Sequence, residues 1–292
     1  MDLSVIIVSY NTKEVLKKCI GSIYANVTGI KFEVIVVDNA SADGTGKELS
    51  KLNHPNYKYI QNNDNLGFSK ANNVGIKRSS GRYVLFLNPD TLVHKNTLSE
   101  MLKFMEKTPD CGASTCKVVL PNGEIDDSCH RGFPTPWNAF THFSGLSKLF
   151  PKSMIFNGYN MGYLDLTKTH EIDALAGSFM FVRRKAGDEA GWWDEDYFFY
   201  GEDLDFCYQL WQKGWKIYYY PHVILTHLKG VSGGIKKISK EITTADEETR
   251  IRATRSRFNA MRIFYKKHYE AKYPWIVTRL VYLGISIKQT LS

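Results

Sequence analysis

A chain of 292 residues with 43% hydrophobic and 13% aromatic content has ample material for one large core, which excludes a disordered chain. Its net charge of +8 is lopsided: residues 228–292 carry 14 Lys and Arg against 5 Asp and Glu, which leaves residues 1–227 at −1. So neutral a body lacks the basic footprint of a nucleic-acid binder, so no nucleic acid is expected as partner; the basic tail suits anionic lipid or a phosphorylated ligand.

In chain order, "LSVIIVSYN" (3–11) is a β-branched strand that ends in polar residues. A helix follows, with Val15, Leu16, Cys19, Ile20 and Ile23 on one stripe. "FEVIVVDNASADGT" (32–45) is a second strand that stops at Asp38, and "GTGKELSKL" can open a short helix. "YKYIQN" (57–62) reads as a third strand, "GFSKANNVGIKRSSG" (67–81) as a helix, and Tyr83 to Leu87 as a fourth strand broken at Asn88-Pro89-Asp90. A capping turn there, with a helix from near Thr91, is the local expectation. Alternating strands and helices predict a parallel sheet covered on both faces, with ligands at the strands' carboxyl ends.

The second half is less regular. "ASTCKVVLPNGEIDDS" (113–128) suggests a hairpin about Pro121-Asn122-Gly123. Residues 141–160 show no periodicity and receive no assignment. Residues 171–186 are strand-like around Gly177, and 194–215 pass from an aromatic loop into a helix. "KIYYYPHVILTH" (216–227) is a last strand, followed by a Gly-Ser-Lys loop (228–240) that fits a lid, with Lys229, Lys236 and Lys237 facing diphosphate charge. Residues 246–269 form a basic amphipathic helix, with Ile251, Phe258, Met261, Phe264 and Tyr265 on one stripe. That stripe fits packing on the body, on a second copy in a homo-oligomer, or on a membrane surface with Trp275 inserted. Five cysteines without a C-x-x-C pair read as reduced thiols and a cytoplasmic setting. No signal peptide is expected, and no run approaches the ~20 apolar residues of a membrane-spanning helix.

The chemistry-bearing residues gather at strand ends. Asp90 is either a turn residue or a ligand of Mg²⁺ or Mn²⁺, hard cations that take one or two carboxylates plus substrate phosphate oxygens. Glu202, Asp203 and Asp205 are either a dipole-matched first turn of a helix or hold a carboxylate able to accept a proton from a hydroxyl. His227 is either structural or a metal ligand. Asp38 is either a turn residue or a partner of a nucleoside. No G-x-G-x-x-G, P-loop, H-E-x-x-H or G-x-S-x-G is present, which disfavours dehydrogenase, ATPase, zinc protease and esterase readings.

The ordered motifs "VIIVSYN" (5–11), "VIVVDNASADGT" (34–45), "NLGFSKANNVGI" (65–76), "YVLFLNPDT" (83–91), "LAGSFMFVRR" (175–184), "FFYGEDLDFCYQLWQKGW" (198–215) and "TH" (226–227) resemble family 2 of the nucleotide-sugar glycosyltransferases, and its rhamnosyltransferase-type branch in particular. The resemblance implies an α/β GT-A fold: a Rossmann-like nucleotide-binding half with a mixed, mainly parallel sheet (about 1–112), an acceptor half (113–230), and a loop and helical tail (231–292). It implies donor binding by Ser9, Tyr10, Asn11, Asp38, Asn65, Gly67, Asn88 and Asp90, and a divalent cation, Mg²⁺ or Mn²⁺, held by Asp90 and His227. It also implies Asp203 as the general base of an inverting transfer. Trp192, Trp193, Tyr200 and Glu202 are expected at the acceptor, a saccharide or a polyprenyl-diphosphate-linked saccharide. Asn88 stands where much of the family has the first Asp of D-x-D, and an amide brings no charge to a cation. The other readings are a sugar-nucleotide nucleotidyltransferase and a non-catalytic sugar-nucleotide-binding module.

Overall fold

The computed structural model describes residues 1–229 and 247–291. Among these, nine strands form one sheet, β3-β2-β1-β4-β8-β6-β9-β5, with β7 on the free side of β9. The amino-terminal half is as expected. β1 (Leu3–Ser9), β2 (Phe32–Asp38), β3 (Tyr57–Gln61) and β4 (Tyr83–Leu87) are parallel. β1 and β4 are buried along their whole length, as their unbroken apolar runs require when helices cover both faces. Those helices are α1 (Lys13–Asn26), α2 (Thr45–Leu49) and α3 (Phe68–Lys77). Leu16, Cys19, Ile20 and Ile23 are the buried residues of α1, four of the five expected on its stripe.

Two local expectations fail to non-local pairing. Thr91 opens no helix. Residues Thr91–Val93 form β5, which lies antiparallel to β9 (Lys216–His227) with Thr91 opposite His227. The β-branched Thr91 and Val93 find a ladder partner over 130 residues away. The helix, α4 (Thr97–Lys107), starts only after Asn96 turns the chain at φ 64°. The hairpin expected over 113–128 keeps its turn, where Gly123 N–H donates to Leu120 O and Leu120 N–H to Glu124 O, but its second arm is one bridge, Val119 to Ile125. Its first arm, β6 (Cys111–Val119), instead runs parallel to β9 and antiparallel to β8 (Phe179–Arg183). The strand-like run 171–186 divides into β7 (His170–Ile172), β8 and the start of α7 (Arg184–Ala190). β8 lies antiparallel to β4, so the sheet runs unbroken past the boundary expected near residue 112.

The unassigned stretch holds the end of α5 (Pro136–Phe143), which is capped by the Thr135 side chain, and the one-turn α6 (Leu146–Leu149). α8 (Glu202–Gln212) carries the acidic cluster. The tail helix α9 (Glu247–His268) belongs to the core, because Phe258, Phe264 and Tyr265 are each under 5% exposed. α10 (Trp275–Thr290) lies on α9 through Tyr265 Oη and Thr278 Oγ1 at 3.0 Å and Arg262 to Gln289 at 2.8 Å. All five cysteines are free and buried. The Gly-Ser-Lys loop expected as a lid lies outside the described residues, apart from Leu228 and Lys229.

Candidate active site

The carboxyl ends of three parallel strands are level, with Ser9 beside Asp38 and Asp38 beside Gln61. The loops that leave them are tied together. Asn11, at φ 53°, donates its backbone N–H to Ser41 Oγ at 2.8 Å, and its side-chain oxygen accepts from Ala42 N–H at 2.8 Å. Asn39 Nδ2 donates to Gly67 O at 3.0 Å, and Asn65 Oδ1 accepts from Gly67 N–H at 3.0 Å. Ser9 shares a hydrogen bond with Thr12 at 2.9 Å, and Tyr10 is half-buried beside them. Asp38 is fully buried. It accepts from Tyr59 Oη at 2.8 Å, Gln61 Nε2 at 3.0 Å, and the hydroxyl of Ser41. Asp38 therefore organises the pocket wall from within, and Tyr59 and Gln61 are supports that the sequence did not single out.

Asp90 ends up beside His227 because β5 pairs with β9. Leu228 N–H donates to Asp90 O at 2.8 Å, and Asp90 Oδ1 lies 3.3 Å from His227 Nε2. The other ring nitrogen, Nδ1, is 2.9 Å from Oδ2 of Asp126, a fully buried carboxylate that also takes the Lys229 ammonium and the Ser128 hydroxyl. Burial alone would raise the Asp126 carboxyl, but the His227 hydrogen bond and the Lys229 charge outweigh it and hold it well below the carboxylate range. Burial alone would lower His227; the charge of Asp90 and the bond to Asp126 prevail, and the ring is pushed up to about 9. Nothing local in "GEIDDS" marked Asp126.

These residues fit a divalent cation of the substrate-completed kind. His227 Nε2 is buried and faces only Asp90, so a cation there would take the place of its proton. Its 3.3 Å separation from Asp90 Oδ1 is close to the ~3 Å expected between neighbouring ligands each ~2.1 Å from Mg²⁺ or Mn²⁺. Asp126 on the far nitrogen is the carboxylate that orients a metal-ligating imidazole. Among the described residues no three His, Cys, Asp or Glu side chains are grouped to hold a metal unaided. Two protein ligands would leave most of a cation's shell to other oxygens.

At the other end, Asp203 sits in the first turn of α8, after Gly201 at φ 83°. Its Oδ2 meets Arg131 Nη2 at 2.7 Å, and its Oδ1 accepts from Leu204 N–H at 2.8 Å. Arg131 also donates to Leu175 O at 2.9 Å and is registered by backbone bonds to Ala174. Arg131 was not legible, because an isolated Arg in "CHRGF" carries no local signal. Glu202 is 6% exposed, its Oε2 has no hydrogen-bond partner, and burial followed by the Asp203 charge pushes it up to about 8.

The aromatic loop before α8 is docked on α3. Phe68 N–H donates to Phe198 O at 2.8 Å, and Asn73 Nδ2 donates to Trp193 O at 2.9 Å. Trp193, expected at the acceptor, is 2% exposed and packs edge-on against Phe86 and Phe68. Trp192 lies across Gly187 and bonds Asp188 at 2.8 Å. Both rings therefore pack in and against the core instead of forming a wall. Tyr200, at φ 71°, keeps a half-buried place beside Phe199. From the far side α9 braces the same loop. His268 Nε2 meets Asp205 Oδ1 at 2.6 Å, Lys267 pairs with Asp194 and Asp196, and Arg252 lies over Phe198 at 3.9 Å.

The two ends are linked by one short segment. Asn88 N–H donates to Ser178 O at 3.1 Å, while Leu175 O, three residues earlier, accepts from the arginine that holds Asp203. Even fully extended, those three residues span ~11 Å.

Level carboxyl ends of parallel strands, with the loop before an acidic helix start docked on α3 beside them, are the arrangement of a GT-A fold. A model of glycosyl transferase family 2 matches residues 4–186, so the chain belongs to that family. The N-acetylglucosaminyl-diphospho-decaprenol L-rhamnosyltransferase of Mycobacterium tuberculosis is 27% identical over 80% of this chain and 78% of its own. Rhamnosyltransferase WbbL of Escherichia coli is also 27% identical, over 74% and 80%. The hexosyltransferase Agl10 of Haloferax volcanii is 28% identical over 71% of this chain, which spans 61% of its length. Among solved structures, S. aureus TarS 1-349 with UDP-GlcNAc superposes with a TM-score of 0.57 at 19% identity, covering 98% of this chain and 71% of that one. GalNAc-T7 with UDP, GalNAc and Mn²⁺ gives 0.58 at 17%, covering 94% and 52%. Those two likenesses show a shared fold.

Proposed function

We propose that this chain is an inverting glycosyltransferase that moves a sugar from a nucleoside diphosphate to a saccharide or polyprenyl-diphosphate-linked acceptor. L-rhamnose from dTDP-rhamnose is the favoured donor, since two relatives bear that sugar in their names at 27% identity and the N-P-D-T and G-E-D-L-D motifs accord with it. A role in bacterial cell-surface polysaccharide synthesis at the cytoplasmic face of the membrane follows from such an acceptor.

The observation that carries the reading is the pairing of two prepared carboxylates through segment 175–178: Asp90 against His227, and Asp203 held by Arg131. Asp203 takes the proton from the acceptor hydroxyl. The oxygen attacks the anomeric carbon, and the bond to the diphosphate breaks on the opposite side. A positioned base of this kind contributes ~10²–10⁴-fold. Asp90 and His227 would hold a divalent cation, which when bound neutralises charge on the leaving diphosphate. The loops tied by Asn11, Asn39, Asn65 and Gly67 seat the nucleotide, and Asp38 keeps their geometry. Burial holds the Glu202 carboxyl above its usual range, which limits its repulsion of Asp203.

Asp203→Asn tests the reading. Turnover of a nucleotide sugar should fall at least a hundredfold, while the donor's thermal stabilisation of the protein with Mn²⁺ is retained. Turnover equal to wild type would remove Asp203 from the chemistry.

A further inference from the structure

Residues 136–156, most of which fall in the stretch that showed no periodicity, form a compact arm that leaves its apolar side chains outside. Trp137, Phe140, Phe143, Leu149, Met154 and Ile155 are 48–72% exposed. This is not a loose segment. Trp137 Nε1 donates to Ile155 O at 2.8 Å, Phe150 stacks toward Phe156 at 5.0 Å, and Asn138 fastens the base of the arm to Phe133 O at 2.9 Å. An ordered apolar surface of this kind marks a contact with something else.

The arm adjoins α10, where Lys288 Nζ sits 5.6 Å from the centre of the Phe143 ring. On α10 the exposed Ile276, Leu280, Leu283 and Ile287 recur at steps of four, three and four, which is one stripe of a helix. The inner side of the same helix faces α9 through Thr278 and Gln289. Two apolar surfaces, distant in sequence, thus meet at one seam.

Their charge is of one sign. Residues 136–156 contain Lys148 and Lys152 and no Asp or Glu; residues 275–291 contain Arg279 and Lys288 and no Asp or Glu. Burial first, then the charges of Lys148, Arg257 and Lys288, depress the His142 imidazole, so cations from three elements converge there. A second copy of the chain is a poor cover. A two-fold contact would bring each cation cluster against itself. An anionic surface with an apolar interior complements both properties.

We propose that the α5–α6 arm and the outer stripe of α10 together form a two-part docking surface for an anionic lipid bilayer. The arm leaves the fold five residues after Arg131, so docking would set the side of the molecule bearing Asp203 near the membrane. The inference does not depend on the transfer chemistry.

The test is co-sedimentation of the full chain with vesicles of phosphatidylcholine alone or with a minority of phosphatidylglycerol. The wild type should partition at least tenfold more strongly to the anionic vesicles. Phe143→Ser with Ile155→Ser, and separately Leu280→Ser with Leu283→Ser, should each weaken that partition at least tenfold. All four side chains are exposed, so circular dichroism and donor-induced thermal stabilisation should be unchanged in both. An arm variant that binds like wild type would overturn the two-part surface. Wild-type protein that stays in the supernatant would overturn docking altogether. A concentration-dependent dimer dissolved by the same substitutions, with no vesicle binding, would assign the surface to a second copy and overturn it too.

Discussion

Replacing Arg131 by Met removes the guanidinium while keeping an apolar stem of similar length. The lost contacts are the 2.7 Å bond to Asp203 and the 2.9 Å bond to Leu175 O, made by side chains that are 14% and 15% exposed in the ion pair. That exposure lies between a surface pair, worth up to ~1 kcal/mol, and a fully buried one, whose disruption costs ~3–5 kcal/mol. A loss of about 1–3 kcal/mol in stability is therefore expected. Asp203 would retain only the Leu204 N–H and could turn away from the acceptor. A misplacement of about an ångström costs ~10²-fold in turnover. Among the described residues the Arg131 side chain bonds Asp203 and Leu175 O and none of the residues expected at the donor, so the donor KM should hold while kcat falls. Arg131→Lys keeps the charge but not the fork that reaches both partners, and should fall between. The assay is initial-rate release of nucleoside diphosphate at varied donor, beside thermal melting. Wild-type kcat in Arg131→Met, or a donor KM that rises as much as kcat falls, would refute the positioning role.

Gly67→Ala puts a Cβ 2.5 Å from Phe198 O at φ 82°, so the aromatic loop must shift; donor affinity and melting temperature should both drop, by about 1–3 kcal/mol each. Asp126→Asn should weaken Mn²⁺ binding in the presence of donor ~10–100-fold by electron paramagnetic resonance, because the imidazole loses its orienting carboxylate. Glu33 is buried. Burial would raise its carboxyl, but hydrogen bonds from Lys58, Ser4 and Ser80 lower it to about 2, against 4.5 unfolded. Its stabilisation is complete above pH 4.5 and vanishes as pH falls through 2, and is worth ~2–3 kcal/mol after allowing for a half-exposed Lys58. Glu33→Gln should accordingly lose stability at pH 7 and show a flatter acid melt.

What was legible followed local chemistry. The apolar runs of β1, β2 and β4 marked out the parallel half, and polar residues where those runs stop marked the strand ends. Thr91 was misread because a turn signal at Asn88-Pro89 competes with pairing to β9, which only the folded chain reveals. Asp126 and Arg131 were missed for the same reason. Each acts on a partner 101 or 72 residues away and sits in an unremarkable local context. Trp193 was placed at the acceptor from its neighbours, whereas its ring fills the space beside Phe86. The α5–α6 arm showed no period because its apolar side chains do not face a single core.

The decisive measurement is a crystal structure with a nucleotide sugar and Mn²⁺ bound. The metal should contact Asp90 and His227 Nε2, with the anomeric carbon between the diphosphate and the Asp203 carboxylate. A donor bound with Asp203 on the same side as its diphosphate, or outside the crevice altogether, would contradict the assignment of these two carboxylates to opposite ends of one reaction.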